Sequence, residues 1–219
     1  MPHLPREADR LLINEIYRSL EGEGLDLGLP MTFVRLTGCP LRCVWCDQPE
    51  AFFEGKEMGL DDVLARVAEL GTNRVCVTGG EPLAHRQCPA LLDRLLAAGH
   101  RVVLETSGAF PIEGLPPSPD LCISLDVKCP GSGMEDRNRW ENLPHLAAKD
   151  QVKFVVVDRA DYEYARDVLR QRRLPCPIIL QPEGGRDLKP LATWVLEDRL
   201  DVRVLPQLHK WIWGDARGV

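Results

Sequence analysis

Two rhythms of apolar residues run through this chain. The first is a series of short, mostly apolar runs that read as strands: LLINEIYRSL, MTFVRLTG, RVCVTGG, RVVLETSG, LCISLDVK, QVKFVVVD, PIILQPE and VRVLPQLHK. The second is helical and falls between several of them. In GLDDVLARVAELG, Leu60, Val63, Leu64, Val67 and Leu70 share one face, with Asp61 or Asp62 available as a cap and Gly71 as the stop. ALLDRLLAAGH repeats the pattern and stops at Gly99, and DYEYARDVLRQRR and LKPLATWVLEDR follow two later strands. Strands alternating with helices of this length predict parallel βα units, about six of them after the loop at 38–49. Several strands are nearly continuous apolar runs, as expected where both sheet faces are covered.

At 219 residues the chain is shorter than the roughly 250 of a closed eight-fold barrel. The expectation is therefore an α/β fold, a partial (open) parallel β/α barrel in a single domain over residues 1–219. FPIEGLPPSPD (110–120) should replace a helix with an irregular connection, and CPGSGMEDRN (129–138) should be a surface loop. The tails TGGEP, ETSG, SLDVK, LQPE and QLHK all follow strands, and in parallel α/β folds ligands gather at those ends, so the tails should converge on one site.

Composition narrows the class. Hydrophobic residues are 44% and charged residues 27%, ordinary for a soluble globular chain. No run approaches the roughly 18 apolar residues of a spanning helix, and the polar start MPHLPREADR shows no apolar signal core, so a cytoplasmic enzyme without a membrane role is expected. The net charge of −6 gives no global field for nucleic acid, and RDVLRQRR (166–173) reads as a solvated helix face. Eight cysteines are too sparse for a disulfide scaffold, so in a reducing compartment they are free thiols or metal ligands. Cys76 and Cys122 lie in apolar runs and are expected as small buried hydrophobes.

Three cysteines stand apart. GCPLRCVWCDQP carries Cys39, Cys43 and Cys46 at spacing C-x3-C-x2-C. A closed zinc site needs four protein ligands, commonly two C-x2-4-C pairs, and the second pair is missing. A redox C-x2-C leaves Cys39 without a task. Iron–sulfur clusters normally take four thiolates, so three on a four-iron cluster leave one iron open to a substrate or cofactor. Trp45 is placed to shield such a cluster, and Arg42 to offset its negative charge.

C-x3-C-x-aromatic-C, with TGGEP (Thr78–Pro82) about one βα unit later, resembles the signature of the radical S-adenosylmethionine (SAM) superfamily. The resemblance implies that Cys39, Cys43 and Cys46 hold a [4Fe-4S] cluster whose open iron binds SAM, the source of a radical. EIYRSLEGEGLDLGLPMTFVRLTGCPLRCVWCD, ETSG, SLDVKCPGSGM and LPQLHKWIWGDARGV further resemble the 7-carboxy-7-deazaguanine synthases, over nearly the whole chain. That family contracts 6-carboxy-5,6,7,8-tetrahydropterin to 7-carboxy-7-deazaguanine with loss of ammonia, on the route to queuosine and other 7-deazapurines. It uses SAM catalytically, with magnesium assisting.

Carried over residue by residue, the resemblance implies that Leu20, Glu21 and Gly22 line the pterin through their backbone. Glu23 would read its amino-pyrimidinone edge, where a carboxylate accepts two N–H bonds. Arg35 would pair with the substrate carboxylate, for which a planar guanidinium is suited. Thr78 and His209 would also touch substrate. Gly80, Glu81, Ser107, Ser124, Asp126, Lys128 and Gln181 would lie near SAM. The chain departs from the family at Glu21, where glutamine is usual, and at Gln48, where the threonine that binds magnesium is usual. Gln48 still offers a hard oxygen to magnesium. A flavodoxin or ferredoxin reductant and a homodimer are implied as partners.

Each residue also has a plainer role. Glu81 suits a helix cap, Asp126 and Lys128 suit a mutual pair, His209 suits a core position, and Trp211 and Trp213 suit packing. Two rival functions stay open: a radical SAM activase that makes a glycyl radical on a partner protein, and a zinc-binding interaction module.

Overall fold

The computed structural model describes residues 9–219. The polar stretch read as lacking a secretory signal lies mostly in residues 1–8, outside the described residues. Strand β1 (Arg10–Leu20) runs antiparallel to β2 (Pro30–Leu36), and a short β3 (Lys56–Gly59) pairs antiparallel on the other side of β1. From β2 onward every neighbour is parallel: β4 (Arg74–Gly79), β5 (Arg101–Thr106), β6 (Leu121–Asp126), β7 (Gln151–Val156), β8 (Ile178–Pro182) and β9 (Arg203–Val204). The sheet order is β3-β1-β2-β4-β5-β6-β7-β8-β9, and the two edge strands do not pair, so the barrel is open as expected.

The helices follow the apolar spacing. α1 (Leu60–Leu70) buries Leu60, Val63 and Val67 and ends at Gly71, whose φ of 67° is the left-handed stop that glycine permits. α2 (Cys88–Ala97) buries Leu91, Leu92 and Leu95. α3 (Arg159–Gln171) starts on Asp158, whose side chain accepts from the Asp161 amide, and α4 (Lys189–Asp198) follows β8. These helices pack on one face of the sheet in two large apolar clusters.

The other face is different, and this is what positions the site. Outward-facing Val34, Leu36, Val102, Leu104, Ile123, Leu125, Val152 and Phe154 belong to the helix-covered core. Their neighbours Arg35, Glu105, Asp126 and Lys153 alternate with them and line a cavity inside the curve of the sheet. Four of these strands, β2, β5, β6 and β7, thus each carry one charged residue inward.

Three expectations need correcting in detail. The segment 110–120 is irregular as read, but 129–138 is not simply a surface loop. Cys129 and Ser132 are fully buried, the Ser132 carbonyl accepts from Val44 N at 3.0 Å, and Met134 Sδ accepts from Arg42 N at 3.4 Å, so this segment braces the cysteine loop. VRVLPQLHK holds only the two-residue β9, and QLHK leads into a short helix, α5 (Leu208–Trp213), that the reading did not anticipate. Cys76 is buried, but Cys122 is only partly so; it lines a second cavity of about 110 Å³ beneath the first, together with Glu21, Glu105 and Gln151. Among the described residues no helix is long and apolar enough to cross a membrane.

Candidate active site

The cavity at the carboxyl ends of the parallel strands measures about 200 Å³. Its walls come from the tails the sequence marks and from the turn after β1. Leu20, Glu21, Gly22, Glu23, Arg35, Cys39, Cys43, Cys46, Gln48, Thr78, Gly80, Ser107, Asp126, Lys128 and His209 all line it. Glu81, Ser124 and Gln181, expected near a cofactor, do not.

The cysteine loop is held by close backbone packing. Gly38 has φ 99°, open to glycine, and its carbonyl accepts from Glu81 N at 2.8 Å. Gly80 rests directly on it: a Cβ there would collide with the Gly38 carbonyl and with Cys39. The three thiols are partly buried, and burial is the chief cause that pushes each above the ordinary cysteine range. Cys76, Cys88, Cys129 and Cys176 are buried elsewhere and Cys122 faces the lower cavity, so none of the other five cysteines lines this one. Among the described residues no three His, Cys, Asp or Glu side chains converge on one ion position, as a mononuclear zinc site requires. The donor set, three soft sulfurs on one tight loop with no fourth, fits an iron–sulfur cluster held on three corners.

Arg42 does not take the part expected of it. Its guanidinium bonds back to the carbonyls of Cys39 at 2.6 Å and Leu41 at 2.7 Å and lies over Phe52 at 4.4 Å, so it ties the loop together. The buried cation facing the sulfurs is Lys128. It bonds Asp126 at 2.6 Å and lies 5.7 Å from the Trp45 ring. Burial opposes its charge, but Asp126 and the Cys43 sulfur outweigh that and raise its pKa. The Asp126–Lys128 pair therefore exists and also lines the cavity.

Glu81 is fully buried, and its carboxylate accepts from Thr106 Oγ1 at 2.9 Å, Ser107 N at 2.7 Å, Ser107 Oγ and Leu83 N at 2.9 Å. Its side chain caps the turn at Pro82–Ala84 and joins β4 to β5, which leaves it no free oxygen for a ligand. Ser124 is likewise engaged, accepting from Gln151 Nε2 at 2.8 Å. Gln181 pairs in register with Val155, which lines the cavity, and both its buried amide atoms lack a hydrogen-bond partner. Gln181 is thus a buried amide left unpaired by the protein, on the inner side of the sheet but outside the cavity lining.

Arg35 is buried, with Nε on Glu15 at 2.8 Å and Nη2 on Tyr17 OH at 2.9 Å. Burial works against its charge, while Tyr17 and Glu15 keep it firmly protonated. Burial also pushes the Tyr17 phenol up to about 12. His209 stands on α5, not at a strand end, and packs on the Gly22 backbone so closely that a Cβ there would strike the imidazole. Its Nε2 is 3.9 Å from Asp47.

The residues the sequence reading passed over are Glu105, Lys153 and Gln207. Lys153 contacts Glu23 and lies 3.4 Å from Asp126 and 3.6 Å from Glu105, while Thr78 Oγ1 donates to Glu105 at 2.9 Å and Gln207 Nε2 to Glu23 at 2.8 Å. Burial alone would raise the Glu23 carboxyl, but Lys153, His209 and these hydrogen bonds hold it down at about 2. Glu21, two residues earlier, is pushed well up by burial and by Glu105 and Glu23, and one of its carboxyl oxygens has no partner. A lysine within an otherwise apolar strand, QVKFVVV, was the available signal for Lys153.

The Radical SAM superfamily description matches residues 33–121. A 7-carboxy-7-deazaguanine synthase of Koribacter versatilis is 44% identical, covering 94% of this chain and 99% of that relative. One from Thermoplasma acidophilum is 38% identical over 95% of this chain and its own full length. The crystal structure of QueE from Escherichia coli superposes with a TM-score of 0.72 at 26% identity, over 89% of this chain and 92% of that one. Streptococcus suis SuiB bound to S-adenosylmethionine shares the fold at a TM-score of 0.53 and 15% identity, over 76% of this chain and 44% of that one. Three thiols on an open parallel barrel, matched by relatives along almost their entire length, lead to one conclusion: this chain belongs to the 7-carboxy-7-deazaguanine synthase family of radical SAM enzymes.

Proposed function

We propose that the chain converts 6-carboxy-5,6,7,8-tetrahydropterin to 7-carboxy-7-deazaguanine with loss of ammonia, within queuosine and 7-deazapurine biosynthesis. The observation that carries this reading is a single cavity shared by the three thiols, the Gly79–Gly80 backbone, Arg35 and the Glu21–Glu23 turn. Cys39, Cys43 and Cys46 would hold a [4Fe-4S] cluster, and the cluster with SAM supplies the radical chemistry. The chain's own residues bind, orient and keep water out.

In this reading Arg35 receives the substrate carboxylate. Its guanidinium is preset by Glu15 and Tyr17, which cuts the entropy lost on binding. Glu23, held ionised, accepts N–H groups of the amino-pyrimidinone edge, while Leu20, Glu21 and Gly22 offer backbone and Thr78 a hydroxyl. His209 closes the site over Gly22. Toward SAM stand the Gly80 backbone, Ser107, Asp126 and Lys128 of the cavity wall, with the unpartnered Gln181 amide outside that lining. Glu81 acts through the framework it ties together, and Ser124 through Gln151.

Magnesium belongs to the reading at Gln48. Its side chain makes no capping bond to the turn it precedes, so its amide oxygen is free for a hard cation that keeps most of its waters. A flavodoxin or ferredoxin reductant, a cytoplasmic setting and a homodimer complete it.

The test is turnover. Anaerobically reconstituted, reduced protein given SAM and carboxytetrahydropterin should form 7-carboxy-7-deazaguanine and ammonia without net loss of SAM. A glycyl-radical activase would form none, and its absence here defeats the reading. Arg35→Ala should abolish substrate binding while SAM still binds, and an unchanged KM would remove Arg35 from that role. Turnover should fall when a chelator strips magnesium; full activity there removes the ion.

A further inference from the structure

Lys153 faces three carboxylates at once, and neither motif nor cofactor accounts for it. It sits in the middle of β7, a strand buried at every position, with its side chain only 6% exposed. Its ammonium meets carboxylates from three separate parts of the chain: Glu23 in the turn after β1, Glu105 on β5 and Asp126 at the end of β6. Each of these has a second, different partner. Glu23 Oε1 accepts from Gln207, whose own Oε1 accepts from Gly184 N at 2.7 Å; Glu105 Oε2 accepts from Thr78; Asp126 Oδ2 accepts from Lys128. Lys153 is thus the junction of a network running from the Glu23 turn to the lysine beside Cys43.

An ammonium at such a junction could be an acid or a fixed charge. Its three carboxylates outweigh burial and hold the proton very tightly, which disqualifies it as a proton donor at neutral pH. What remains is a permanent charge of fixed position. Burial on its own drives carboxyls toward the neutral form, as it does at Glu21 in the same turn. A neutral Glu23 would offer one fewer acceptor to an N–H-rich ring.

We propose that Lys153 is a positioning residue for the ring contraction: its ammonium keeps Glu23 ionised and aimed at the substrate's amino-pyrimidinone edge, and ties that aim to Asp126 beside the cysteine loop. This rests on the substrate reading above. The groups facing Glu23 are Lys153 from β7, Gln207 and His209 around the start of α5, and Glu21 from its own turn. Of these Lys153 is the one permanent cation.

The experiment uses reconstituted holoenzyme with Lys153→Met, Lys153→Arg, Glu23→Gln and the Lys153→Met/Glu23→Gln double variant. Anaerobic equilibrium binding of carboxytetrahydropterin and of SAM is measured separately, together with kcat/KM against pH. Lys153→Met should weaken pterin binding at least about tenfold while SAM binding stays within about threefold, the scale of a lost charge-assisted contact. The acid limb of its kcat/KM profile should move to higher pH, because Glu23 without the ammonium protonates more readily. Lys153→Arg should restore most of the pterin affinity. On the Glu23→Gln background Lys153→Met should add little, since the group it serves is already gone.

Equal losses of pterin and SAM affinity, an unmoved acid limb, or full additivity with Glu23→Gln would each overturn the proposal and leave Lys153 a scaffold residue. Wild-type protein that binds no carboxytetrahydropterin and forms no deazaguanine would overturn the substrate reading instead, a result distinguishable because it appears without any substitution.

Discussion

At the scale of single residues, neighbouring carboxyls in one turn are driven in opposite directions. Lys153 and Gln207 stabilise Glu23 as an anion, while burial, Glu105 and Glu23 push the Glu21 carboxyl, one oxygen of which is unpartnered, toward its neutral form. A neutral carboxyl presents one O–H donor and a carbonyl acceptor, the same inventory type that a glutamine amide offers. The sign of the Glu21 effect on stability follows. Its folded pKa lies above its unfolded one, so the folded state binds the extra proton and stability falls as pH rises past the ordinary glutamate range. Glu21→Gln removes that slope. Between about pH 5 and pH 8 the wild-type melting temperature should drop more than that of Glu21→Gln; parallel curves in thermal denaturation would show that Glu21 ionises normally. The cysteines were legible in the sequence because their chemistry is local: three sulfurs within eight residues make a site by themselves. Lys153 was not, because its partners lie at 23, 105 and 126 and only the sheet order brings them together.

At the scale of elements, helical spacing gave α1 to α4, because a helix's inward stripe is written in neighbouring turns. The strands were found, but not their inner face. One charged residue in a short apolar run does not disturb the run, yet side chains alternate, so Arg35, Glu105, Asp126 and Lys153 all turn into the cavity. α5 and the antiparallel β3 escaped notice because six and four residues carry too little periodic signal. The junction of β4 with the cysteine loop offers a prediction. Gly80 meets backbone, which has no rotamer to yield, so Gly80→Ala must displace the loop at a cost of about 1–3 kcal/mol. Iron and sulfide content after reconstitution should drop sharply, with a lower denaturation midpoint. Full cluster loading in that variant would mean the loop needs no such packing.

At the scale of the whole molecule, the open barrel leaves one end of the cavity for the last residues to cover. Trp213, Gly214 and residues 216–219 line it, and an exposed Arg217–Glu54 ion pair at 3.3 Å joins this segment to the region after the cysteines. Exposed ion pairs contribute little to stability. Deleting 214–219 should therefore shift the melting temperature by less than about 4 °C, while substrate binding weakens and cluster content stays the same. A large loss of stability without loss of binding would make the segment structural. The same whole-molecule view bears on the proposed open site: among the described residues no other cysteine reaches the cavity that the three-cysteine loop faces.

That openness is the claim on which the function depends, and spectroscopy of the reduced, reconstituted protein tests it most directly. With SAM labelled by isotope at its amino nitrogen, electron–nuclear double resonance should detect coupling between that nitrogen and the cluster, and the coupling should persist when carboxytetrahydropterin is added. A cluster whose spectrum ignores labelled SAM, or one in which a protein side chain supplies the fourth ligand in the SAM-loaded state, would contradict the account.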